Sequence, residues 1–273
     1  MSKVCVITGG GSGMCLAAAK YVDKDYHLVI TGRTVAKLAG AKELLEALGH
    51  DVEAVACDVS NPDDVKKLVE TACSLGEVVA VINGAGVSPS MGGAEYIFGI
   101  NALGTINVNE EFATVLAEGG CIVDIASIAG YMLPEENYPF ALYPLALSDP
   151  QAFAKNMQEI FSQTPEQEAG FYSYAVSKNF VAWYAKQLAI RLGKRGVRVL
   201  SVSPGVIDTP MVQAEGDSSS EDVAMMGVLG RMGTAEELGS LLAFLATGPA
   251  TFVTAVDILS DGGYVTGMRA AQG

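Results

Sequence analysis

Histidine is almost absent: His27 and His50 are the only two in 273 residues. Cysteine occurs at five positions, Cys5, Cys15, Cys57, Cys73 and Cys121, an odd number with no Cys-x-x-Cys spacing. So few imidazoles and unpaired thiols do not point to a zinc centre or a disulfide framework, and no metal site is expected. Basic residues are outnumbered 31 to 17, and the resulting net charge of −14 argues against generic nucleic-acid binding. No apolar run reaches the roughly 18 residues that suggest a membrane span. The opening Met1-Ser2-Lys3-Val4-Cys5-Val6 enters a strand at once and lacks the small-residue cleavage site of a signal peptide. A cytoplasmic chain is therefore expected. What is plentiful is apolar material: half of the residues are hydrophobic, enough for a large core.

That material is arranged in short β-rich runs at 4–8, 27–31, 52–56, 78–82, 121–125, 197–202 and 253–259, with helical periodicity between them. Near-continuous apolar strands alternating with helices indicate a parallel sheet covered on both faces. The expected fold is α/β: one Rossmann-like, doubly wound, seven-stranded parallel sheet forming a single domain over 1–273. Two segments break the rhythm. Residues 131–171 hold five of the ten prolines, several aromatics and a short amphipathic stretch, and read as a helical insertion. Residues 213–222 are small, polar and acidic, and read as part of a mobile substrate loop spanning about 211–232.

Thr8-Gly9-Gly10-Gly11-Ser12-Gly13 follows the first strand and precedes an alanine-rich helix. Glycines there permit positive φ and let backbone approach a pyrophosphate at a helix N-terminus, so Thr8, Gly9, Gly11, Ser12, Gly13 and Met14 are candidate nucleotide contacts. The pattern Thr-Gly-x-x-x-Gly-x-Gly is met except at its end, where Cys15 replaces the last glycine and its side chain needs room against the sheet. Arg33 lies twenty residues beyond Gly13, just after the second strand, where a carboxylate would receive the ribose hydroxyls of NAD. An arginine there pairs with the 2′-phosphate of NADP instead, so NADP(H) is favoured over NAD(H). Asp58 with Val59, and Asn83-Gly84-Ala85, end the third and fourth strands and are placed to line an adenine pocket, though each is also ordinary turn chemistry.

Tyr174 and Lys178, in Tyr174-Ala175-Val176-Ser177-Lys178, fall in a stretch (172–195) that reads as a helix, where a four-residue gap puts both on one face. An ammonium beside a phenol favours the phenolate and makes the tyrosine a usable acid–base at neutral pH. Taken alone such a pair is a weak signal, but a serine at the end of the fifth strand, Ser127, strengthens it.

Thr8-Gly9-x-x-x-Gly13, Asp58-Val59, Asn83-Gly84-Ala85-Gly86, Asn101, Ser127, Tyr174-x-x-x-Lys178 and Pro204-Gly205 occur in one order that resembles the short-chain dehydrogenase/reductase superfamily along essentially the whole chain. The resemblance implies a nicotinamide cofactor and hydride exchange between an alcohol and a carbonyl. It implies a catalytic group of Asn101, Ser127, Tyr174 and Lys178, with Asn101 seating a relay water, and it makes Tyr174 and Lys178 cofactor contacts as well, Lys178 holding the nicotinamide ribose. It also implies that Pro204 and Gly205 border the nicotinamide while Val206 and Thr209 meet its carboxamide. Asp261-Gly262-Gly263 resembles the family's C-terminal turn, which implies a homo-oligomer, a tetramer or a dimer.

Ser127 and Tyr174 are 47 positions apart, farther than in most members of that superfamily, because of the 131–171 insertion. The spacing resembles bacterial hydroxysteroid dehydrogenases, which implies an apolar alcohol or ketone such as a hydroxysteroid or bile acid. The insertion reads either as a hydrophobic lid that sets substrate choice or as an oligomerisation element. Two alternatives stay open: a reductase of smaller or acyl-carrier-bound carbonyls, and a catalytically silent nucleotide-sensing or scaffold protein, for which Cys15 speaks mildly.

Overall fold

The computed structural model describes residues 2–215 and 218–272. Its strands and helices alternate through the first half of the chain: β1 (Lys3–Thr8), α1 (Gly13–Tyr21), β2 (Tyr26–Gly32), α2 (Val35–Ala47), β3 (Asp51–Ala56), α3 (Pro62–Leu75) and β4 (Glu77–Asn83). Then come α4 (Ala94–Phe98), a π-helical turn (Gly99–Leu103), α5 (Gly104–Val115), β5 (Cys121–Ile125) and a 3-10 turn (Ile128–Tyr131). The insertion contributes α6 (Leu145–Ser148) and α7 (Pro150–Gln163), and leads into the long α8 (Glu166–Leu192). The last third holds β6 (Arg198–Pro204), β7 (Ile207–Asp208), α9 (Pro210–Glu215), α10 (Ser218–Met225), β8 (Gly233–Thr234), α11 (Ala235–Thr247), β9 (Asp257–Ser260) and α12 (Tyr264–Gln272).

Seven strands form one parallel sheet in the order β3-β2-β1-β4-β5-β6-β9. Strand residues of alternating parity feed two apolar layers. Val4 and Val6 of β1 pack with α3, α5 and α8, while Cys5 and Ile7 pack with α1, α2 and α11. Strands buried on both faces are apolar at nearly every position, which is why the sequence shows runs rather than alternation. Because β2 and β4 flank β1 on opposite sides, the chain reverses its winding at the C-terminal end of β1. In such sheets the crevice at this switch point is where ligands bind.

Three expectations need correction. The seventh strand starts at Asp257, not at 253, because Ala255 takes φ +57 and interrupts the extended run. Much of 211–232, read as a loop, is helical in α9 and α10, and β7 and β8 add a two-stranded parallel sheet beside it. Residues 216 and 217 of that segment lie outside the described residues. The helix carrying Tyr174 also begins earlier than the pattern indicates, at Glu166.

Candidate active site

The turn after β1 is closed by backbone rather than by side chains. Gly9 takes φ +72 and Gly13 φ +58, both in the region that favours glycine, and a Cβ on Gly9 would stand 2.9 Å from the Gly84 carbonyl oxygen. Thr8, wholly buried, ties this turn to the end of β4: its hydroxyl donates to Asn83 Oδ1 at 2.8 Å and accepts from the Gly84 and Ala85 amides at 3.0 and 2.9 Å. Thr8 and Asn83 thus sit behind the crevice and fix its floor.

Cys15 fills the space at the missing glycine. Its thiol packs where a Cβ on Gly84 would stand, 2.3 Å from the sulfur, so the absent side chain at Gly84 makes the room that Cys15 needs. Burial pushes the thiol up to about 12, and it remains a neutral apolar filler. The Cys15→Gly variant should therefore lose about 2 kcal/mol of stability, from an emptied contact and a glycine in a helix. It should not gain affinity for a dinucleotide. Thermal denaturation and calorimetry check the two halves separately.

The crevice encloses about 340 Å³ and gathers most of the sequence candidates. Gly9, Gly11, Ser12, Gly13, Met14, Arg33, Asp58, Val59, Gly84, Ala85, Pro204, Gly205 and Thr209 line it, with Ser127, Tyr174 and Lys178 at its inner end. Three cofactor candidates do not: Thr8 and Asn83, for the reason above, and Val206. Val206 lines a second cavity of about 490 Å³, and its neighbours Gly205 and Ile207 line both that cavity and the crevice.

At the outer end, the Arg33 guanidinium donates to the Tyr96 hydroxyl and lies 5.7 Å from the centroid of that ring. Thr34 caps the start of α2 without spending its hydroxyl on the helix, and Lys37 joins the same wall. Lys37 was not singled out from the sequence; its signal was a second cation four residues after Arg33, at the opening of a helix. Asp58, also on this wall, accepts from the Ser60 amide and hydroxyl at 2.9 and 2.7 Å. A glycine cradle that any Cβ would obstruct, a helix N-terminus and two cations fit a phosphate-bearing dinucleotide.

At the inner end, α8 presents Tyr174 and Lys178 one turn apart. Lys178 is fully sunk: Nζ donates to the Ile125 carbonyl at 2.9 Å and lies 5.9 Å from the centre of the Tyr174 ring. Burial lowers its ammonium to about 8, opposed by the neighbouring Asp124, so it is still largely charged at neutral pH. Ser127 opens the 3-10 turn, and its hydroxyl accepts from the Ala129 amide at 3.1 Å, which leaves the hydroxyl hydrogen to aim at a substrate oxygen.

Asn101 is not brought into the crevice. Its amide bonds both ways to the Val87 backbone, at 2.9 and 3.0 Å, and its carbonyl accepts from the Thr105 hydroxyl at 2.8 Å. It sits in the π-helical turn and holds the Val87 wall. Among the described residues, none of 131–171 lines the crevice. Tyr143, Phe153, Met157 and Phe161 bury themselves against α4 and α8, with Phe153 4.8 Å from Phe180 and Phe161 5.2 Å from Phe98, centroid to centroid. Covering those rings is worth more than shading a polar cleft. The apolar inner wall comes from Val87, Met91, Ala126, Met211 and Val212 instead.

A buried carboxylate was also missed. Asp124 of β5, wholly enclosed, accepts from Asn109 Nδ2 at 3.0 and 2.8 Å and from Asn83 Nδ2 at 3.1 Å. A lone acid inside an apolar strand was the available signal. Burial raises its carboxyl to about 7, against the pull of those amides and of Lys178. A carboxyl raised in the folded state gives stability that is full below its unfolded value and is lost as pH rises through the folded one. Relative to wild type, Asp124→Asn should thus gain the equivalent of about 3 kcal/mol between about pH 5 and about pH 8. Thermal unfolding of both proteins across that window checks the sign.

Comparison with known proteins bears on this geometry. A family model described as "short chain dehydrogenase" matches residues 3–141, and one described as "Enoyl-(Acyl carrier protein) reductase" matches residues 156–265. The chain is 30% identical to the short-chain dehydrogenase/reductase bsc3 of Alternaria brassicicola, across 96% of each chain. It is 29% identical to the 3-alpha-hydroxysteroid dehydrogenase/carbonyl reductase of Comamonas testosteroni, over 90% of this chain and 98% of that one. Among solved structures, a short chain dehydrogenase from Burkholderia cenocepacia in complex with NADP superposes with a TM-score of 0.76 at 24% identity, covering 97% and 98% of the two chains. That last likeness speaks for the fold.

Proposed function

The chain belongs to the short-chain dehydrogenase/reductase family, and on that premise we propose that it is an NADP(H)-preferring oxidoreductase interconverting a secondary alcohol and a ketone on a flat apolar body, a hydroxysteroid or bile acid. The observation that carries the reading is the placement of Ser127, Tyr174 and Lys178 at one end of a crevice whose other end is cationic. When bound, the nicotinamide supplies or takes up the hydride. The chain's own residues do the rest. The Ser127 hydroxyl donates to the oxygen on which charge builds, and the Tyr174 phenol gives that oxygen its proton. Lys178, held by the Ile125 carbonyl, keeps a positive charge near the phenol and favours its ionised form. Arg33 and Lys37 receive the 2′-phosphate, while the glycine turn meets the pyrophosphate. Asn101 acts by holding the wall at Val87 rather than by touching the reacting atoms.

The apolar wall of Val87, Met91, Met211 and Val212 favours a large apolar substrate. The Comamonas testosteroni relative, whose name includes a hydroxysteroid activity, supports the same class. The accommodation of Cys15 over Gly84 removes the feature that favoured a silent sensor. We read the chain as cytoplasmic and as a homo-oligomer; Phe252, Val256 and Leu259, exposed beside the open edge of β9, favour assembly. The test of substrate class compares kcat/KM, with NADPH, for keto-steroids and for cyclohexanone. A preference for the steroid on the order of a hundredfold is expected from the added buried apolar area. Equal or better use of cyclohexanone would reject the steroid assignment and leave the oxidoreductase reading intact.

A further inference from the structure

The insertion leaves the crevice alone, yet it reaches the catalytic serine by another route. Tyr143, fully buried, donates its hydroxyl to Asn179 Oδ1 at 3.0 Å, with a longer approach of 3.4 Å to the Val176 carbonyl. Asn179, the residue after Lys178, passes the contact on: its Nδ2 donates to the Gly130 carbonyl at 2.9 Å. Gly130 lies in the turn that Ser127 opens, and its amide donates to the Ser127 carbonyl at 3.0 Å. The approach is so close that a Cβ on Gly130 would stand 2.8 Å from the Asn179 amide nitrogen. A second insertion tyrosine touches the same turn, Tyr138 reaching the Ala129 carbonyl at 3.4 Å and accepting from the Leu133 amide at 3.2 Å.

We infer that the insertion is an internal brace, in which Tyr143 acts through Asn179 as a positioning residue that sets Ser127 against Tyr174. The chemistry needs this. Ser127 and Tyr174 belong to different elements, a turn after β5 and a helix, and both must address a single substrate oxygen. Asn179 sits on the helix that carries Tyr174 and grips the turn that carries Ser127. Its amide is fixed in orientation only while Tyr143 occupies its oxygen, because a free amide is able to turn and present the wrong atom. The ring of Tyr143 is itself pinned, with Phe180 at 5.2 Å and Trp183 at 5.5 Å from its centroid. The hydroxyl therefore ties this one position of the insertion to the serine turn. A misplacement of about 1 Å at a reacting group is known to cost large factors in rate without loss of binding.

This inference rests on the proposed carbonyl reduction for its catalytic consequence, so its test carries one readout that needs no turnover. Tyr143→Phe keeps the ring and removes the hydroxyl; Phe161→Leu loosens the same insertion at a ring that meets Phe98 and Tyr172 rather than Tyr143 or Phe180. Amide hydrogen exchange over residues 127–131 should quicken about tenfold in Tyr143→Phe and stay at the wild-type rate in Phe161→Leu. In steady state, Tyr143→Phe should lower kcat about tenfold while KM and the NADPH dissociation constant hold. Asn179→Leu should give a similar loss, and the double variant should be no worse than the poorer single one. Unchanged exchange in Tyr143→Phe, equal quickening in Phe161→Leu, quickened exchange with kcat kept, or losses that multiply in the double variant would each overturn the brace. Quickened exchange in a protein whose wild type reduces no ketone would instead overturn the assigned reaction.

Discussion

Replacing Tyr174 with Phe should lower turnover at least about a thousandfold and leave NADPH affinity unchanged. The ring keeps its place beside the Lys178 ammonium, 5.9 Å from its centre, and only the proton-carrying oxygen is lost. With no phenol to deliver a proton, charge building on the substrate oxygen is met by Ser127 alone. A hydrogen bond from serine stabilises that charge and does not neutralise it. The affinity for cofactor should survive because the glycine turn, Arg33 and Lys37 are untouched. Steady-state kinetics and titration calorimetry on one preparation measure both halves. Retained turnover would remove Tyr174 from the mechanism; lost turnover with lost affinity would make it a structural residue instead.

The second large effect concerns the cofactor. The chain should bind NADPH more tightly than NADH by about ten- to a hundredfold, the worth of a charge-assisted contact to one phosphate. Arg33→Ala should erase most of that margin by weakening NADPH while leaving NADH alone, and Lys37→Ala should erase a smaller part. The asymmetry follows from geometry: Arg33 is held in place by the Tyr96 hydroxyl and ring, whereas Lys37 enters the wall as a flexible cation on α2. Added salt should narrow the margin as well, since Arg33 is exposed. Titrations with both cofactors, for wild type and the two variants, decide this. An NADH preference in the wild type would reject the assignment outright.

Much of this site was legible because its chemistry is carried by local patterns. A glycine turn between strand and helix, an i,i+4 pair on a helix and a serine at a strand end are set by spacing alone. Tyr174, Lys178, Ser127 and the glycines of the turn accordingly line the crevice as their spacing indicated. The parts that were not legible depend on what lies across space. Whether Cys15 has room stayed open because the turn alone does not show that Gly84, nearly seventy residues on, leaves space for sulfur. The insertion read as a lid or an oligomerisation element because an aromatic helix suits a cleft and a protein surface alike. Its packing on Phe98 and Phe180 of this chain depends on residues far along the sequence. Asp124 went unnoticed although an acid inside Cys121-Ile122-Val123-Asp124-Ile125 is conspicuous; its partners Asn83 and Asn109 lie on other elements.

The insertion also changes where specificity is sought. Variation at Met91, Met211 and Val212 should alter which ketone is used, whereas variation at Tyr143 should alter how fast any ketone is used. That division separates residues that touch substrate from those that hold the residues which do.

The central claim is that this chain moves a hydride between a nicotinamide and a carbonyl carbon at the Ser127–Tyr174–Lys178 site. Its most direct test follows an isotope rather than a rate. NADPH carrying deuterium on the transferring position of its nicotinamide ring is incubated with a keto-steroid and the wild-type protein, and the product is analysed by mass spectrometry. The expected product is an alcohol with one deuterium on the carbinol carbon, formed about a thousandfold more slowly by Tyr174→Phe. An alcohol free of deuterium, or the labelled alcohol formed at the wild-type rate by Tyr174→Phe, would contradict it.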